Sequence, residues 1–137
     1  MVRELIHDPI LLAGKSSPAG PEDLPTARDL LDTLLSHRET CVGMAANMIG
    51  ANKAIVVFFH GDTPMTLFNP EIVKASGEYV TRESCLSLLG GPRETKRFEK
   101  IKVRYQNEKF QTRLMTFTGF SAQIIQHEID HIHGVLI

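Results

Sequence analysis

The feature that most constrains this chain is a His-Glu-x-x-His run near its C-terminal end, formed by His127, Glu128 and His131 within the segment Gln126–Gly134. On a helix, side chains four residues apart project from the same face, so the two imidazoles can bind one metal ion. The glutamate between them can then act as general base towards water at that metal. The motif therefore predicts a helix that carries a hydrolytic metal centre, although either histidine alone would more often be an ordinary hydrogen-bonded residue.

The length and composition predict one globular domain that spans residues 1–137. The chain has 137 residues, of which 42% are apolar and 23% are charged, a balance that can bury one core. Its net charge of −1 provides no general attraction to nucleic acid or to an anionic membrane surface. We therefore expect neither nucleic acid nor a membrane as a partner.

Three features predict a cytoplasmic location. The longest apolar run, Ala54–Phe59, is too short to span a bilayer. The N-terminal residues lack the basic start and apolar stretch of a signal peptide. The two cysteines, Cys41 and Cys85, do not form a disulfide framework, and they would remain thiols in a reducing compartment.

Hydrophobic periodicity predicts two helices. A stripe of leucines predicts a helix over residues 25–39, and Thr26 followed by Asp29 resembles a capping box. The second helix is expected to begin near Thr118, a candidate N-cap, and to end before Gly134, a candidate C-cap. This late helix is the one that contains the His-Glu-x-x-His run.

Short apolar runs between these helices predict β-strands. Strands are expected at residues 55–59, 65–68, 71–74, 101–106 and 110–117. The segment Asn107–Lys109 can form the turn of a hairpin that joins the last two strands. Several short strands with one early and one late helix indicate an α+β fold.

A catalytic metal site needs a third protein ligand and an open position for water. The sequence ends at Ile137, six residues after His131, which leaves little room for a downstream ligand. His133 lies only two positions from His131 and would point elsewhere on the helix. The ligand is therefore expected upstream, where Cys85 is the candidate. The alternative is that Cys85 is a small buried hydrophobic residue, as many cysteine thiols are.

Three motifs occur in an order and spacing that resemble the peptide deformylase family. They are the runs GMAANMIG at Gly43–Gly50, CLS at Cys85–Ser87 and QHEIDH at Gln126–His131. Peptide deformylases carry G-x-G-L-A-A-x-Q, E-G-C-L-S and Q-H-E-x-D-H in the same order, and Ile6–Leu11 is similar to the start of the family. The likeness covers nearly the whole chain. It implies a deformylase-like fold, with short antiparallel strands around a C-terminal metal-binding helix and one N-terminal helix.

The resemblance implies a metal-dependent hydrolase that removes the formyl group from the N-terminal formylmethionine of nascent polypeptides. Cys85, His127 and His131 would bind one divalent ion, for which the family favours Fe(II), with zinc and nickel as alternatives. Glu128 would take a proton from water and later deliver it to the leaving amine. The partner would be an N-formylmethionyl peptide, as part of a nascent chain at the ribosome.

The resemblance also implies residues that contact the substrate. Leu86 would donate its backbone N–H to the formyl oxygen. Gly43 would line the substrate cleft, where the lack of a Cβ lets a peptide approach closely. Arg93 and Arg97 lie where the family often places a basic residue along the cleft, and a solvated surface arginine is an equal alternative.

Met48 is the most consequential departure from the family motifs. It occupies the position of a glutamine that helps to hold the formyl oxygen, and a thioether has no N–H to donate. Losing one such donor in another hydrolase costs about two to three orders of magnitude in turnover. We therefore place Met48 in the catalytic site as a substitution that would weaken turnover. Cys41 and Ser84 replace two motif glycines.

Three other functions compete with an active deformylase. The main alternative is a deformylase-like metal-binding protein with impaired catalysis, which the presence of Met48 favours. A conventional metalloendopeptidase would need a downstream ligand. A blue-copper electron carrier also uses two histidines and a cysteine, but a base inside a helical histidine pair serves hydrolysis.

Overall fold

The computed structural model describes residues 1–83 and 92–135, which form three α-helices and one five-stranded sheet. The helices are α1 (Pro9–Leu12), α2 (Leu24–Ser36) and α3 (Gly119–Ile132). The strands are β1 (Gly43–Ala45), β2 (Ile55–His60), β3 (Thr63–Glu83), β4 (Arg93–Gln106) and β5 (Thr112–Thr118). Short 3-10 turns cover Pro21–Asp23 and Ala46–Ile49. The α+β class predicted from the sequence is confirmed.

The sheet is a meander, because its strands lie in chain order and every neighbouring pair is antiparallel. β3 is one long strand where the sequence predicted two. The pairing with β4 shifts register between Phe68 and Glu71, which keeps the strand continuous around Pro70. Asn69 takes a positive φ of 51° at this bulge, a conformation that asparagine tolerates better than most residues.

β4 begins at Arg93, well before the predicted start at residue 101. Its first half pairs with the distal half of β3, from Ser76 opposite Lys100 to Glu83 opposite Arg93. These strand segments are largely polar, so apolar patterning could not reveal them. The pairing is important for function because it places Glu83 opposite the start of β4, within hydrogen-bonding distance of the Arg97 side chain.

The first long helix differs from its prediction at both ends. α2 runs from Leu24 to Ser36, so it starts one residue earlier and ends sooner than expected. The predicted capping box is wrong, because Asp23 occupies the N-cap position and Asp29 instead pairs with Arg3 at 2.8 Å. Within residues 1–83 and 92–135, no helix has the length and apolar character needed to cross a membrane.

α3 begins and ends as predicted. Thr118 occupies its N-cap position, although no side-chain capping bond forms there. Gly134 takes a positive φ of 78° just after the helix, and its N–H donates to the His131 carbonyl at 3.0 Å. The Val135 N–H donates to the Asp130 carbonyl at 2.9 Å, and the two bonds together form a Schellman C-cap with Gly134 in the left-handed conformation.

β2 is buried on both faces, and this explains its continuous apolar run. Val56 and Phe58 belong to the core beneath α3, whereas Ile55, Val57 and Phe59 belong to the core beneath α2. Alternate side chains of a strand point to opposite faces, so one strand anchors both helices. α3 is thereby fixed against the sheet along its apolar side.

Candidate metal centre and active site

α3 holds His127, Glu128 and His131 in the interior of the protein. Their exposed fractions are 7%, 4% and 0%, and each offers a ligand atom within 4.8 Å of the others. Ile125 and Ile129, on the same helix, pack into the core beneath it. The apolar stripe therefore fixes the rotation of α3, and the adjoining polar face becomes a buried cluster.

The two histidine rings fit a metal ion. Their Nε2 atoms lie 3.2 Å apart, and the Nδ1 of His127 lies 2.8 Å from Glu83 Oε1. A ring that donates from Nδ1 to a carboxylate carries a lone pair on Nε2. Burial, with a smaller contribution from His127, lowers the pKa of His131 to about 3, so this ring is neutral. Two rings that face each other through Nε2 at this distance suit a shared cation.

Glu83 is the carboxylate that organises this centre. Its oxygens accept hydrogen bonds from His127, from Gln123 at 2.9 Å and from the Arg97 guanidinium at 2.7 to 3.1 Å. Burial alone would raise the pKa of Glu83, but the hydrogen bonds from His127 and Arg97 outweigh it and lower the pKa to about 2. The group is therefore a carboxylate throughout the physiological range. A carboxylate behind a ligating histidine fixes both its tautomer and its orientation.

The expected position of Arg97 along the substrate cleft is wrong, and so is the alternative of a solvated surface arginine. Arg97 is only 4% exposed, and its guanidinium bonds Glu83 and, at 2.7 Å, Asp130 of α3. Arg97 therefore ties β4 to β3 and α3 behind the histidines. The physical reason is that the buried charge of Glu83 needs a cation in its plane.

Glu128 is placed to act as a base. Several influences act on the pKa of its carboxyl. The largest of them is burial, which raises this pKa to about 7. Its Oε1 is buried without a hydrogen-bond partner among the described residues, so no protein group in that part of the chain competes for it. A group poised near neutrality can both accept and release a proton.

Gly43 allows β1 to lie directly against α3. A Cβ at this position would sit 2.6 Å from Ile124 Cγ2 and 3.2 Å from Glu128 Oε2, so any side chain would force the Ile124 side chain or its surroundings to shift. The residue also lines an open cavity of about 350 Å³ beside the histidine cluster. This cavity is lined by Thr40, Cys41, Val42, Gly43, Arg82, Glu83, Phe120, Gln123, Ile124, His127 and Glu128.

Met48 is fully buried at the end of the turn that follows β1. Its sulfur lies 3.4 Å from the backbone nitrogen of Ala45, and the side chain packs in the core beneath α2. Met48 is not among the described residues that line the cavity. Cys85 and Leu86, which the sequence placed at the metal and at the formyl oxygen, lie outside the described residues.

The sequence analysis missed Glu83, Gln123 and Asp130 as functional residues. Glu83 occupies the first position of the Glu-x-Cys-Leu-Ser run, and Asp130 lies inside the histidine motif. The positions of Glu83 and Asp130 in those motifs were the available signal for a functional role. Their roles depend on the long-range pairing of β3 with β4, which no local pattern predicts.

Comparisons with known proteins agree with this geometry. A family model for polypeptide deformylase matches residues 5–137. A peptide deformylase from Clostridium beijerinckii is 46% identical over 137 residues, the whole of both chains. One from Dictyoglomus thermophilum is 36% identical over 143 positions, which cover all of this chain and 91% of that protein. The crystal structure of peptide deformylase from Thermotoga maritima matches with a TM-score of 0.88 at 29% identity, covering 99% of this chain and 95% of that one.

A buried His-Glu-x-x-His helix on an antiparallel sheet, with these likenesses, defines a metal-dependent hydrolase. More specifically, the chain belongs to the peptide deformylase family. The family, fold and enzyme class predicted from the sequence are confirmed. The alternative of a merely metal-binding relative is not favoured, because the similar proteins are named as peptide deformylases.

Proposed function

We propose that the cluster on α3 is the catalytic centre, with Cys85, His127 and His131 as ligands of one divalent ion and Glu128 as the base. As a peptide deformylase, the chain removes the formyl group from the N-terminal methionine of nascent polypeptides. The observation that carries the proposal is the 3.2 Å approach of the two buried Nε2 atoms beside Glu128.

A bound divalent ion would supply Lewis acidity, which activates water and polarises the formyl carbonyl. A thiolate with two imidazoles suits several transition metals, and we propose Fe(II) as the natural ion, with zinc and nickel as alternatives. The contribution of the protein to this step is to hold the ligand side chains in position. Glu83 orients the His127 ring, and Arg97 keeps Glu83 ionised and in place.

Glu128 moves the proton in this reaction. Its carboxylate takes a proton from the attacking water while the new C–O bond forms at the formyl carbon. The C–N bond then breaks, and Glu128 delivers that proton to the departing α-amine, so that formate and a free N-terminus are released. Because Gly43 and Glu128 both line the cavity, the formamide can reach Glu128 from the cavity side.

We propose that Leu86 donates its N–H to the formyl oxygen and that Met48 leaves one donor missing there. Methionine can accept only weakly and donates nothing, so stabilisation of the developing oxyanion would depend on Leu86 and the bound ion. The expected consequence is a lower turnover than the same site would give with a glutamine at position 48.

The biological setting follows from the reaction. We propose that residues 1–137 work as a single catalytic domain in the cytoplasm, on nascent chains emerging from ribosomes. The net charge of −1 gives the chain no general affinity for RNA, so we propose the formylated peptide itself, and not nucleic acid, as the recognised partner.

The proposal is tested by anaerobic purification with Fe(II), metal analysis and an assay of formate release from a formyl-Met tripeptide. The acetyl-Met tripeptide serves as the control substrate. We expect one metal ion per chain and formate release from the formyl substrate only. A Cys85→Ala variant should lose the metal, whereas a Cys41→Ala variant should keep it. Full metal retention in folded Cys85→Ala protein would contradict the ligand set.

A further inference from the structure

Asn47 is a buried residue that contacts the second histidine of the motif from outside α3. It lies in the 3-10 turn after β1 and is 2% exposed. Its Nδ2 donates to the backbone carbonyl of His131 at 2.7 Å and to that of Leu12 at 3.3 Å. One amide thus joins α1, the turn and the C-terminal end of α3.

The orientation of this amide is fixed by its neighbours. Both atoms close to Nδ2 are carbonyl oxygens, which can only accept, so the NH₂ group must face them. Oδ1 therefore points away from the two carbonyls. It is buried, and it has no hydrogen-bond partner among the described residues. A buried acceptor left without a donor destabilises the folded protein, so such an atom calls for an explanation.

The matching donor is on the residue that Asn47 already contacts. His131 Nδ1 is also buried and has no hydrogen-bond partner in the part of the chain that the structure describes. Because Nε2 of this ring faces the other histidine, Nε2 is the atom available to a metal, and the proton must then reside on Nδ1. A ligating histidine almost always donates that second N–H to an acceptor.

We propose that Asn47 is the positioning residue of His131, its Oδ1 accepting the Nδ1–H bond through one buried water that bridges the two otherwise unpartnered atoms. The inference rests on the proposed function in taking His131 as a metal ligand. The two histidines are then held differently. His127 has a carboxylate behind it, in Glu83, whereas His131 has a neutral amide. The amide selects the ring tautomer that leaves Nε2 free for the metal without adding a second charge.

Two other buried oxygens could compete for this proton. Ser16 Oγ and Glu128 Oε1 also have no hydrogen-bond partner among the described residues. Ser16 lies near the same end of α3, since its N–H donates to the Ile132 carbonyl at 2.8 Å. Variants of Ser16 and Glu128 therefore serve as rival arms of the test.

The test uses the Co(II)-loaded protein, because ring N–H protons of ligating histidines are shifted out of the ordinary proton NMR spectrum and their solvent exchange can be timed. The wild type should show two slowly exchanging ring protons, one from His127 and one from His131. Asn47→Ala should lose the second alone. It should also release its metal to a chelator about 10 to 100 times faster.

Asn47→Asp separates positioning from structural support. It keeps an oxygen acceptor but loses the N–H donors to Leu12 and His131, so the ring proton should stay slow. If the Asn47→Asp variant behaves like the alanine variant, the donors matter and the proposal is overturned. Thr33→Val removes a buried hydrogen-bonding group at 0% exposure in α2, and it should lower stability without changing either ring proton.

Two further outcomes keep the proposal testable if Asn47→Ala fails to fold. A wild-type His131 ring proton that exchanges as fast as in an exposed histidine overturns it. So does selective loss of that proton in Ser16→Ala or in Glu128→Ala, since another oxygen would then be the acceptor. Because the readouts are a ring proton and metal release, the absence of deformylase activity would contradict the proposed function but not this inference.

Discussion

Glu83 Oε1 lies 2.8 Å from Nδ1 of His127, so a carboxylate from the end of β3 fixes the ring of a proposed metal ligand on α3. The same carboxylate is held by the Arg97 guanidinium through its Nε and Nη2 atoms. The orientation of the histidine therefore depends on the pairing of β3 with β4, and not on α3 alone.

Replacing Glu83 should weaken metal binding. Glu83→Gln keeps the shape of the side chain but removes the charge behind His127 and leaves Arg97 less compensated. We expect metal affinity to fall about 10- to 100-fold, as for other residues behind ligating histidines. Competition with a chelating dye measures this directly. Glu78→Gln is the matched control, because Glu78 lies on β3 like Glu83 but is exposed, where it pairs with Lys96 of β4. Equal affinities in the two variants would contradict the orienting role.

Arg97→Leu should destabilise the protein strongly. Removing the guanidinium leaves the buried Glu83 charge without its main partner, a change that typically costs about 3–5 kcal/mol of unfolding free energy. Arg104→Leu is the control, since Arg104 lies 2.7 Å from Glu71, the same distance as Arg97 from Glu83, but on the surface. That change should cost less than about 1 kcal/mol. Urea unfolding compares the two, and similar losses would contradict the importance of burial.

The sequence predicted α3 well because the signals for this helix are local. The spacing of His127 and His131, the core-facing isoleucines and Gly134 after the last turn all act within one helix. β2 was equally predictable from the sequence, because a strand that is buried on both faces has an unbroken apolar run. These features reflect contacts between residues close in sequence or a single continuous burial pattern.

The position of Arg97 could not be predicted in this way. Nothing near it in sequence shows that it pairs with Glu83, because the two residues meet only through the long polar ladder between β3 and β4. Polar strands lack the alternation that reveals a buried face. The same limitation concealed Asn47, whose partners Leu12 and His131 are distant in the chain.

Met48→Gln should raise turnover on formyl-Met peptides by about tenfold or more, equivalent to about 1.4 kcal/mol of barrier. A glutamine oxygen can accept from the Ala45 N–H that now meets the Met48 sulfur, and its NH₂ group becomes a donor for the oxyanion. The gain should appear mainly in kcat, because the contact strengthens in the transition state. Met48→Leu, which donates nothing, is the control. Unchanged turnover in folded, iron-loaded Met48→Gln protein would show that the missing donor is not limiting.

The metal-free protein should reveal the raised pKa of Glu128 through its stability. Burial raises this pKa from 4.5 to about 7 on folding, so the native state binds the proton more tightly than the unfolded chain. The resulting stability is complete below about pH 4.5 and is lost as the pH rises through 7. Glu128→Gln cannot ionise. At about pH 8 it should exceed the wild type by up to about 3 kcal/mol in unfolding free energy, and the gap should shrink by that amount at pH 4. A gap that does not change with pH would contradict the burial effect.

The most direct test of the account is a comparison of metal content and formate release in wild-type and Glu128→Ala protein, both purified anaerobically with Fe(II). Because Glu128 is assigned as a base and not a ligand, both proteins should contain one metal ion per chain. Only the wild type should release formate from a formyl-Met tripeptide. Loss of the metal from folded Glu128→Ala protein, or formate release that survives the substitution, would contradict the assignment.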